Sequence, residues 1–483
     1  MSVRQPRLLT ADAGRSAEPY RERLVSLLSQ EMGFHGQDSG YASHSFHPFP
    51  AKFPPQLPHK FIEALTAPGD VVLDPMMGSG TTVLEAYLTG RRAVGFDIDP
   101  LALLVSKTKV TPLDARQVTE AGNGILKQAK GAIEEQRDEL EEALEQRWDS
   151  RTRDFVDYWF ARDTQIELLA LIGQIERVEH VQIRAFLQLA FSAIIVTKSG
   201  GVSLAFDLAH TRPHRAKVVL DGTGEVILGH DLVGSDSPRV KFLTKTLRSP
   251  LMEFPKRLQQ NLNGLVQSEA DRIQPYSQGL FEPQPDRIDP RVEFGDAQEL
   301  PLDDDSVDLI VTSPPYASNA IDYMRAHKFS LVWMGYAIED LGHRRKEYIG
   351  GEAVADFGFE ALPPGAGEVV ARIAGQDQKK GRVLHRYYSE MTRCLGEMFR
   401  VLKPGKSAVV VVGNSVMRGK DTHTQDCLAE IGQRIGFQVP RIGIRVLDRN
   451  RRMMPAGSQV DLDSQIQQRM HEEYVIGFLK PEA

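Results

Sequence analysis

The residues best suited to chemistry stand close together around position 313. The stretch 311–316 reads Val-Thr-Ser-Pro-Pro-Tyr and follows an apolar, β-branched run at 306–310 that predicts a buried strand. Prolines cannot donate to a sheet and hold the backbone stiffly, so the hydroxyl of Ser313 and the carbonyl of Pro314 would be fixed where the strand stops. With the ring of Tyr316, they could hold a flat group that carries an NH2 substituent, by accepting its hydrogens and stacking on its face. An ordinary proline-terminated strand is the alternative interpretation.

A second group of candidate residues forms a glycine-rich turn. An apolar strand ends in Asp74, a turn with two glycines follows at 75–80, and 82–88 continues as an apolar helix. This pattern is typical of the opening of a nucleotide-type βαβ unit. The next strand ends in Asp97, where an acid could bind ribose hydroxyls. No lysine follows the second glycine, and Asp74 would repel a pyrophosphate, so we expect a cofactor with an amino group and a ribose but no phosphate. S-adenosylmethionine has these features.

A proline-rich segment, 47–55, precedes the glycine turn. It contains too many prolines for a helix interior. Its rings and its single lysine are His47, Phe49, Phe53 and Lys52. The segment is either a surface loop or the rim of a ligand pocket.

Composition limits the class of protein. The 483 residues are enough for two or three domains, and their charged fraction of 25% is that of a globular protein. No apolar run has membrane-spanning length and no signal-peptide core begins the chain, so we expect no membrane partner. Cys394 and Cys427 are the only cysteines, so we expect neither a disulfide framework nor a cysteine metal site. This cysteine content is the one expected of a protein in a reducing cytoplasm. The net charge of −7 means that a nucleic-acid partner would need a local basic surface.

The spacing of apolar residues predicts an α/β protein with long insertions. The nucleotide-type pattern stops near 111 and resumes at 292–297, a strand that leads to Asp296. Between them, we interpret 114–150 as a solvated helical hairpin, 155–197 as two apolar helices and 202–290 as irregular structure. The predicted units are an N-terminal arm (1–40), the cofactor part of the core (41–112), a helical insertion with the target-recognition region (113–290), and the catalytic part of the core (291–483), itself interrupted at 336–381.

Basic residues cluster in two places. One cluster lies in the insertion and includes Arg239, Lys241 and Lys245, and the other lies near the C-terminus and includes Arg449, Arg451 and Arg452. Long loops in a compact domain are usually functional or disordered. We therefore predict that the basic run in the insertion contacts nucleic acid.

Taken together, these segments resemble the amino-group DNA methyltransferases of the S-adenosylmethionine-dependent, Rossmann-like class over about 47–110 and 291–480. The stretch 312–316 is similar to the catalytic motif of that family, whose serine form is associated with cytosine-N4 methylation, and 74–82 is similar to its cofactor loop. The resemblance implies a class I methyltransferase sheet and S-adenosylmethionine as cofactor. The implied catalytic residues are Ser313, Pro314, Pro315 and Tyr316. The implied cofactor-binding residues are His47, Phe49, Lys52, Phe53, Asp74, Met76, Gly78, Ser79, Gly80, Thr81, Asp97, Ile98, Asp296 and Ala297.

The resemblance assigns three acidic residues to three different parts of the cofactor. Asp74 would face the amino-acid part, Asp97 the ribose and Asp296 the adenine. Relatives with this motif order usually carry target recognition between the Asp296-type strand and the catalytic strand. Here the long insertion lies before Asp296. We therefore predict that 200–290, helped by 336–381, reads the DNA sequence, and that the stretch 441–452 grips phosphates without selecting sequence.

The implied chemistry agrees with the residue types. An exocyclic amino group is a poor nucleophile because its lone pair is delocalised into the ring, and acceptors for its protons would localise that pair. The base would have to be flipped out of double-stranded DNA, with Tyr316 replacing the lost stacking. Methylation at ring carbon C5 would need a cysteine nucleophile. Cys394 and Cys427 both lie in helical runs, so that reaction is disfavoured.

Three other functions stay open. Adenine-N6 DNA methylation and RNA guanine-N2 methylation use nearly the same motif, with Asp or Asn in place of Ser313. The RNA enzymes usually carry an RNA-binding domain before the cofactor loop, and about 70 residues precede it here. An inactive DNA-binding module is the third. The partners expected are double-stranded DNA and a cognate restriction or defence system.

Overall fold

A computed structural model describes residues 19–208, 213–273, 289–317, 322–413, 415–447 and 472–482, except for the side chains of 266–273. Its strands, in chain order, are β1 Val71–Asp74, β2 Arg92–Asp97, β3 Ala205–Asp207, β4 His214–Arg215, β5 Val218–Leu220, β6 Val226–Leu228, β7 Thr244–Thr246, β8 Arg291–Phe294, β9 Val307–Thr312, β10 Leu402–Gly413, β11 Val416–Met417, β12 Lys420–Asp421, β13 Gln438–Val446 and β14 Glu472–Leu479.

The helices are α1 Tyr20–Ser29, α2 Gln56–Leu65, α3 Thr81–Leu88, α4 Pro100–Val110, α5 Ala115–Glu135, α6 Arg137–Gln146, α7 Ser150–Trp159, α8 Arg162–Glu176, α9 Val181–Ile195, α10 Pro238–Phe242, α11 Pro250–Ile273, α12 Tyr323–Leu331, α13 Ile338–Glu347, α14 Pro364–Ala374, α15 Gln378–Val401 and α16 Thr424–Ile435. No helix in the ranges described is long and apolar enough to cross a membrane.

A seven-stranded sheet in the order β13-β14-β10-β9-β1-β2-β8 organises the molecule. Strands β1, β2, β8, β9 and β10 pair in parallel, and β14 runs antiparallel to both of its neighbours. The predicted α/β, Rossmann-like fold is confirmed. The carboxyl ends of the parallel strands therefore meet at one edge, which is where such sheets bind ligands.

Both faces of the sheet are covered by helices. Strand β9 is buried along its whole length, as expected for a β-branched parallel strand. Its alternate residues divide between two cores, with Leu309 and Val311 facing the side of α1, α2 and α3, and Ile310 facing the side of α15 and α16. This period-two alternation produces a three-layer core in which the catalytic strand is central.

The N-terminal arm predicted at 1–40 is, in its described part, a packed helix. Leu24, Leu27 and Leu28 of α1 are buried against β13 and β14. A Cβ added to Gly443 would lie 2.6 Å from the carbonyl oxygen of Leu28, so glycine permits this close approach. Residues 20–29 of the predicted arm therefore form a helix that is packed against the sheet.

The insertion is more ordered than predicted. Helices α5, α7, α8, α9 and α11 share one apolar core, and α8 and α9 are the two apolar helices expected within 155–197. The described part of 202–290 holds two small sheets, β3-β4 and β6-β5-β7, followed by α11, so the expectation of irregular structure there is wrong. Strands of two or three residues are too short to give a periodicity that predicts them.

Candidate active site

A cavity opens at the carboxyl ends of β1, β2, β8 and β9. It holds about 850 Å³ of empty space, including its open mouth. It is lined by Phe49, Pro50, Ala51, Lys52, Phe53, Pro75, Met76, Met77, Gly78, Ser79, Thr81, Asp97, Ile98, Asp99, Ala102, Gly295, Asp296, Ala297, Ser313, Pro315, Tyr323, Tyr348 and Ile349. The cavity thus joins residues from both sequence motifs, which lie far apart in the chain.

The glycine loop between β1 and α3 forms one wall. Gly78 and Gly80 have φ of 48° and 71°, and a Cβ on Gly80 would lie 2.6 Å from the hydroxyl of Ser106. Glycine is therefore required at 80 both by the backbone conformation and by the space. Two side chains hold the loop in place. The hydroxyl of Ser106 donates to the carbonyl of Gly78 at 2.9 Å, and the ammonium of the buried Lys109 donates to the carbonyl of Ser79 at 2.6 Å.

Asp97 shapes the loops at the end of β2. One carboxylate oxygen accepts from the amide of Gly78 at 2.8 Å, and the other accepts from the amide of Asp99 at 2.9 Å. Burial, together with the neighbouring charge of Asp99, raises the pKa of Asp97 to about 7. The pKa of Asp97 therefore lies near neutral pH, and such raised carboxyl pKa values are common in ligand sites.

Asp99 is a second acid that faces the cavity. It caps α4 by accepting from the amides of Leu101 and Ala102, as expected for an Asp-Pro helix start. Its other oxygen accepts from the imidazole of His327 at 2.6 Å and the hydroxyl of Tyr348 at 2.7 Å. Asp99 therefore connects the cofactor half of the core to the elements that follow the catalytic strand.

Asp74 lies beneath the cavity and does not line it. Its carboxylate accepts from the hydroxyl of Thr312 at 2.6 Å and the amide of Met76 at 3.2 Å. Burial raises the pKa of Asp74 to about 6. The contact ties the last residue of β9 to the glycine loop, so Asp74 sets the distance between the two motifs.

The 47–53 segment closes the cavity from one side. The Lys52 ammonium donates to the carbonyls of His44 at 2.9 Å and His47 at 3.2 Å, and burial lowers its pKa to about 8. Phe49 stacks on Tyr323 with ring centroids 5.8 Å apart. His47 instead points into the insertion, where its imidazole meets the hydroxyl of Ser192 at 3.0 Å.

The stretch 311–316 lies on the opposite wall. Ser313 and Pro315 line the cavity, whereas Pro314 and Tyr316 lie just outside its lining. The Tyr316 hydroxyl donates to the carboxylate of Glu473 at 2.8 Å. The stretch therefore presents a short hydroxyl to the cavity at the point where β9 ends.

Most of the predicted site residues meet in the cavity. The lining contains Phe49, Lys52, Phe53, Met76, Gly78, Ser79, Thr81, Asp97, Ile98, Asp296, Ala297, Ser313 and Pro315, and it omits His47, Asp74, Gly80, Pro314 and Tyr316. Sequence reasoning missed Asp99, Tyr323 and Tyr348. The Asp-Pro pair at 99–100 was an available signal for a helix cap, but nothing local marks the two tyrosines as cavity residues.

The basic residues of the insertion have different surroundings. Arg239 is exposed, and Lys241 forms an exposed ion pair with Asp236 at 3.0 Å. The ammonium of Lys245 donates to the carbonyls of Ser199, Ser203 and Ala205 at 2.6–2.9 Å, and burial lowers its pKa to about 7. Lys245 thus holds the small sheets together. Arg449, Arg451 and Arg452 lie outside the described residues.

Comparison with known proteins finds similarity to DNA methyltransferases. The family model for the N6/N4 DNA methylases matches residues 35–108, which contain the 47–53 segment, the glycine loop and Asp97. The Type II methyltransferase M.MvaI of Kocuria varians is 23% identical over 422 residues, which cover 83% of this chain and 84% of that protein. The Type II methyltransferase M.BsoBI of Geobacillus stearothermophilus is 22% identical over 417 residues, covering 77% of this chain and 74% of the relative.

Among solved structures, a DNA modification methylase of Thermus thermophilus in complex with S-adenosyl-L-methionine is 19% identical. That alignment covers 39% of this chain and 52% of the other, with a TM-score of 0.21, so the fold assignment rests on the strand order itself. The family model matches the part of the chain that holds the glycine loop and Asp97, and the two relatives align over most of the chain. Together they support an amino-group DNA methyltransferase family for this protein.

Proposed function

We propose that the protein transfers a methyl group from S-adenosyl-L-methionine to the exocyclic N4 amino group of a cytosine in double-stranded DNA. One observation carries the proposal. Ser313 lines the same cavity as the glycine loop and Asp97, so an acceptor for amino protons faces a site built for a nucleoside-type cofactor. Proximity of the two reactants in one cavity is itself a large part of the rate enhancement in group transfer.

The charges that line the cavity suit S-adenosyl-L-methionine. Asp97, Asp99 and Asp296 supply carboxylates that favour a ligand with a sulfonium and an ammonium group, and Lys52 lies at the rim for a carboxylate. When bound, the cofactor supplies an electrophilic methyl group.

The chain's own residues would prepare the amino group. The Ser313 hydroxyl and the Pro314 carbonyl accept its hydrogens, which localises the nitrogen lone pair and makes it nucleophilic. The target base has to leave the helical stack to reach this recessed site. Stacking on Tyr316 would offset that cost by about 1–3 kcal/mol.

The positions of the two cysteines argue against methylation at carbon C5 of cytosine. Cys394 in α15 and Cys427 in α16 are buried in the sheet core, and neither lines the cavity. Burial raises the pKa of Cys394 well above its usual range and that of Cys427 to about 11. Neither thiol could serve as a nucleophile there.

The choice of cytosine N4 over adenine N6 rests on Ser313, because the family's serine motif is associated with cytosine. Adenine N6 is the second candidate, since an adenine amino group could use the same acceptors. The deciding experiment is mass spectrometry of nucleosides from DNA of cells that express the protein or its Ser313→Ala variant. N4-methylcytosine that disappears with Ser313→Ala supports the proposal, and N6-methyladenine replaces it with the second candidate.

Cofactor binding should depend on pH through Asp97. Because its pKa is raised to about 7, the carboxylate that accepts ribose hydroxyls is lost as the pH falls through that value. We expect affinity for S-adenosyl-L-methionine to be steady above about pH 8 and to fall by up to about ten-fold per pH unit below 7. The measurement is equilibrium binding between pH 5.5 and 8.5.

The control for this pH dependence is Asp97→Asn. It should bind about ten-fold more weakly at pH 8, the scale of a lost charged hydrogen bond, with a flatter profile between pH 8 and 6. Any titration of S-adenosyl-L-methionine itself would affect the wild type and Asp97→Asn equally, so it does not alter the comparison. An equal slope in Asp97→Asn would assign the pH effect to another group, of which Asp74, with a pKa of about 6, is the first to consider.

DNA binding in the insertion should depend on its exposed basic residues. We expect Arg239→Ala and Lys241→Ala each to alter which DNA sequences are methylated, because both side chains are exposed on α10 and long enough to reach bases. Sequencing of modified positions in DNA methylated by each variant is the measurement.

A variant that removes the nearby Arg248, exposed and paired with Glu253 at 3.6 Å, is the matched control. Arg248→Ala should weaken binding to all duplexes alike and lower the salt slope by about one unit. If Arg239→Ala and Lys241→Ala behave in the same way as this control, the sequence is read elsewhere.

A further inference from the structure

The sheet brings an acid from the last strand to the catalytic edge. Because β14 runs antiparallel to β10, its first residues lie where the parallel strands end. Glu473 is paired with Gly413 at the end of β10, and Thr312 at the end of β9 is paired with Val410. The carboxylate of Glu473 can therefore reach Tyr316, four residues beyond Thr312, across the intervening strand.

Both oxygens of this carboxylate are engaged by side chains. One accepts from the hydroxyl of Tyr316 at 2.8 Å, and the other forms an ion pair with the guanidinium of Arg445 on β13. The exposed fractions of the Arg445 and Glu473 side chains are only 11% and 12%. Arg445 is fixed in turn, since its Nε donates to the carbonyl of Met32 at 3.1 Å. A chain of contacts thus runs from the segment after α1 to the catalytic motif.

The contact restrains Tyr316 at both ends. Its backbone follows two prolines, which restrict the backbone conformation, and its hydroxyl is held by a carboxyl group that Arg445 keeps in place. A ring that stacks on an extruded base has to be oriented before the base arrives, because orientation achieved only on binding costs entropy. The hydroxyl donates to Glu473, so the ring is the part of Tyr316 left for a base.

We propose that Glu473, held by Arg445, is a positioning residue that sets the orientation of the Tyr316 ring for stacking on the target base. This inference rests on the proposed function, since it gives the ring a base to meet. Glu473 itself contacts neither cofactor nor base in this scheme and acts through the tyrosine.

The test compares four variants with the wild-type protein. Tyr316→Phe removes only the hydroxyl, Glu473→Ala removes the acceptor, and Glu473→Gln keeps an oxygen that can accept from the tyrosine but cannot form the ion pair. The fourth variant combines Tyr316→Phe with Glu473→Ala. Glu472→Ala, one residue earlier on β14, is the matched control. The kcat is measured with labelled S-adenosyl-L-methionine and with DNA from cells that lack the protein, alongside the cofactor Kd and the melting temperature.

If Glu473 acts through Tyr316, Tyr316→Phe and Glu473→Ala should each lower kcat by about ten-fold, the scale of one charged hydrogen bond. The double variant should be no worse than the worse single variant within about two-fold, because the shared interaction is lost only once. Glu473→Gln should recover most of the rate, and the cofactor Kd should stay within about two-fold throughout.

Other outcomes overturn the inference. Effects that multiply in the double variant, or a Glu473→Gln variant as slow as Glu473→Ala, would assign Glu473 a structural role through its ion pair. If Glu473→Ala does not fold, the pair Tyr316→Phe and Glu473→Gln decides, and a wild-type rate in Tyr316→Phe rejects the proposal. A wild-type protein that transfers no methyl group to DNA overturns the proposed function and this inference with it, whereas an active wild-type protein with multiplying effects overturns the inference alone.

Discussion

Replacing Ser313 by alanine is expected to lower the rate of methyl transfer to DNA by about 100-fold. Loss of one preorganised hydrogen-bonding group at a reacting centre costs roughly 10²–10³ in rate. Cofactor affinity and melting temperature should change little, since Ser313 lies at the end of β9 and its side chain faces the cavity. Single-turnover transfer from labelled S-adenosyl-L-methionine is the measurement, because it separates the chemical step from product release.

The control for Ser313→Ala is Ser306→Ala, at the other end of the same strand. The Ser306 hydroxyl donates to the carbonyl of Asp303 at 2.6 Å, far from the cavity lining. Its replacement should leave the rate within about two-fold of the wild type. A Ser313→Ala protein that keeps the wild-type rate would mean that the Pro314 carbonyl alone suffices, and a protein that loses cofactor affinity would place Ser313 in the cofactor site instead.

The core of the site could be predicted because its signals are local. Asp74, Gly78 and Gly80 lie within one strand-turn-helix unit, and their types follow from the turn that the backbone has to make. Ser313 is marked by the prolines that follow it. That the two motifs meet could also be expected, since the carboxyl ends of parallel strands align at one edge of the sheet.

The remaining part of the site depends on contacts between distant segments. Tyr323 and Tyr348 enter the cavity wall because α12 and the residues after α13 pack on α4 and the insertion, and Asp99 meets Tyr348 across 249 positions. Glu473 reaches Tyr316 across 157 positions because of a strand pairing that no local pattern specifies. Without an alignment or a structure, such pairs carry no periodicity or spacing that marks them.

The surroundings of Lys245 could not be predicted from its charge. A lysine in a basic run predicts an exposed contact with DNA, but the backbone of 199–205 turns three carbonyl oxygens toward it. Unpaired buried carbonyls cost free energy, so the ammonium is drawn inward to satisfy them. The tertiary fold decides which groups surround a lysine side chain, whereas the sequence reveals only that a lysine is present.

Replacing Glu85 by alanine is expected to be the most destabilising single change among those considered. The Glu85 carboxylate is 1% exposed and accepts hydrogen bonds from three side chains. Tyr41 and His44 bind one oxygen at 2.7 Å each, and His59 binds the other at 2.8 Å. These contacts attach the segment that leads to Phe49 and Lys52 to helix α3, so the cluster supports the cavity wall as well as the fold.

The cost follows from the groups left behind. Without Glu85, the imidazole of His44, 3% exposed, loses this acceptor. Each buried donor left without its acceptor costs about 1–3 kcal/mol, and the cavity from the deleted side chain adds to this. We expect Glu85→Ala to lower the free energy of unfolding by about 3–5 kcal/mol in urea denaturation, and to weaken cofactor binding through the loosened wall.

The control for Glu85→Ala is Glu63→Ala on the neighbouring helix α2. The Glu63 side chain is 55% exposed and lies 3.8 Å from Arg91, so its loss should cost less than about 1 kcal/mol. Equal destabilisation by the two changes would mean that the buried cluster contributes nothing specific.

The acid dependence of stability gives an independent test of the same cluster. Although burial opposes it, hydrogen bonds from His44 and His59 lower the pKa of Glu85 from 4.5 to about 2. A depressed carboxyl pKa stabilises the protein above the unfolded value, and this contribution is lost as the pH falls through the folded value. The advantage of the wild type over Glu85→Ala should therefore shrink as the pH falls from about 4.5 toward 2. His59, whose pKa the same carboxylate raises, contributes a slope of opposite sign only near its own, higher pKa. An advantage that stays constant down to about pH 3 would show that Glu85 acts by packing and not by its charge.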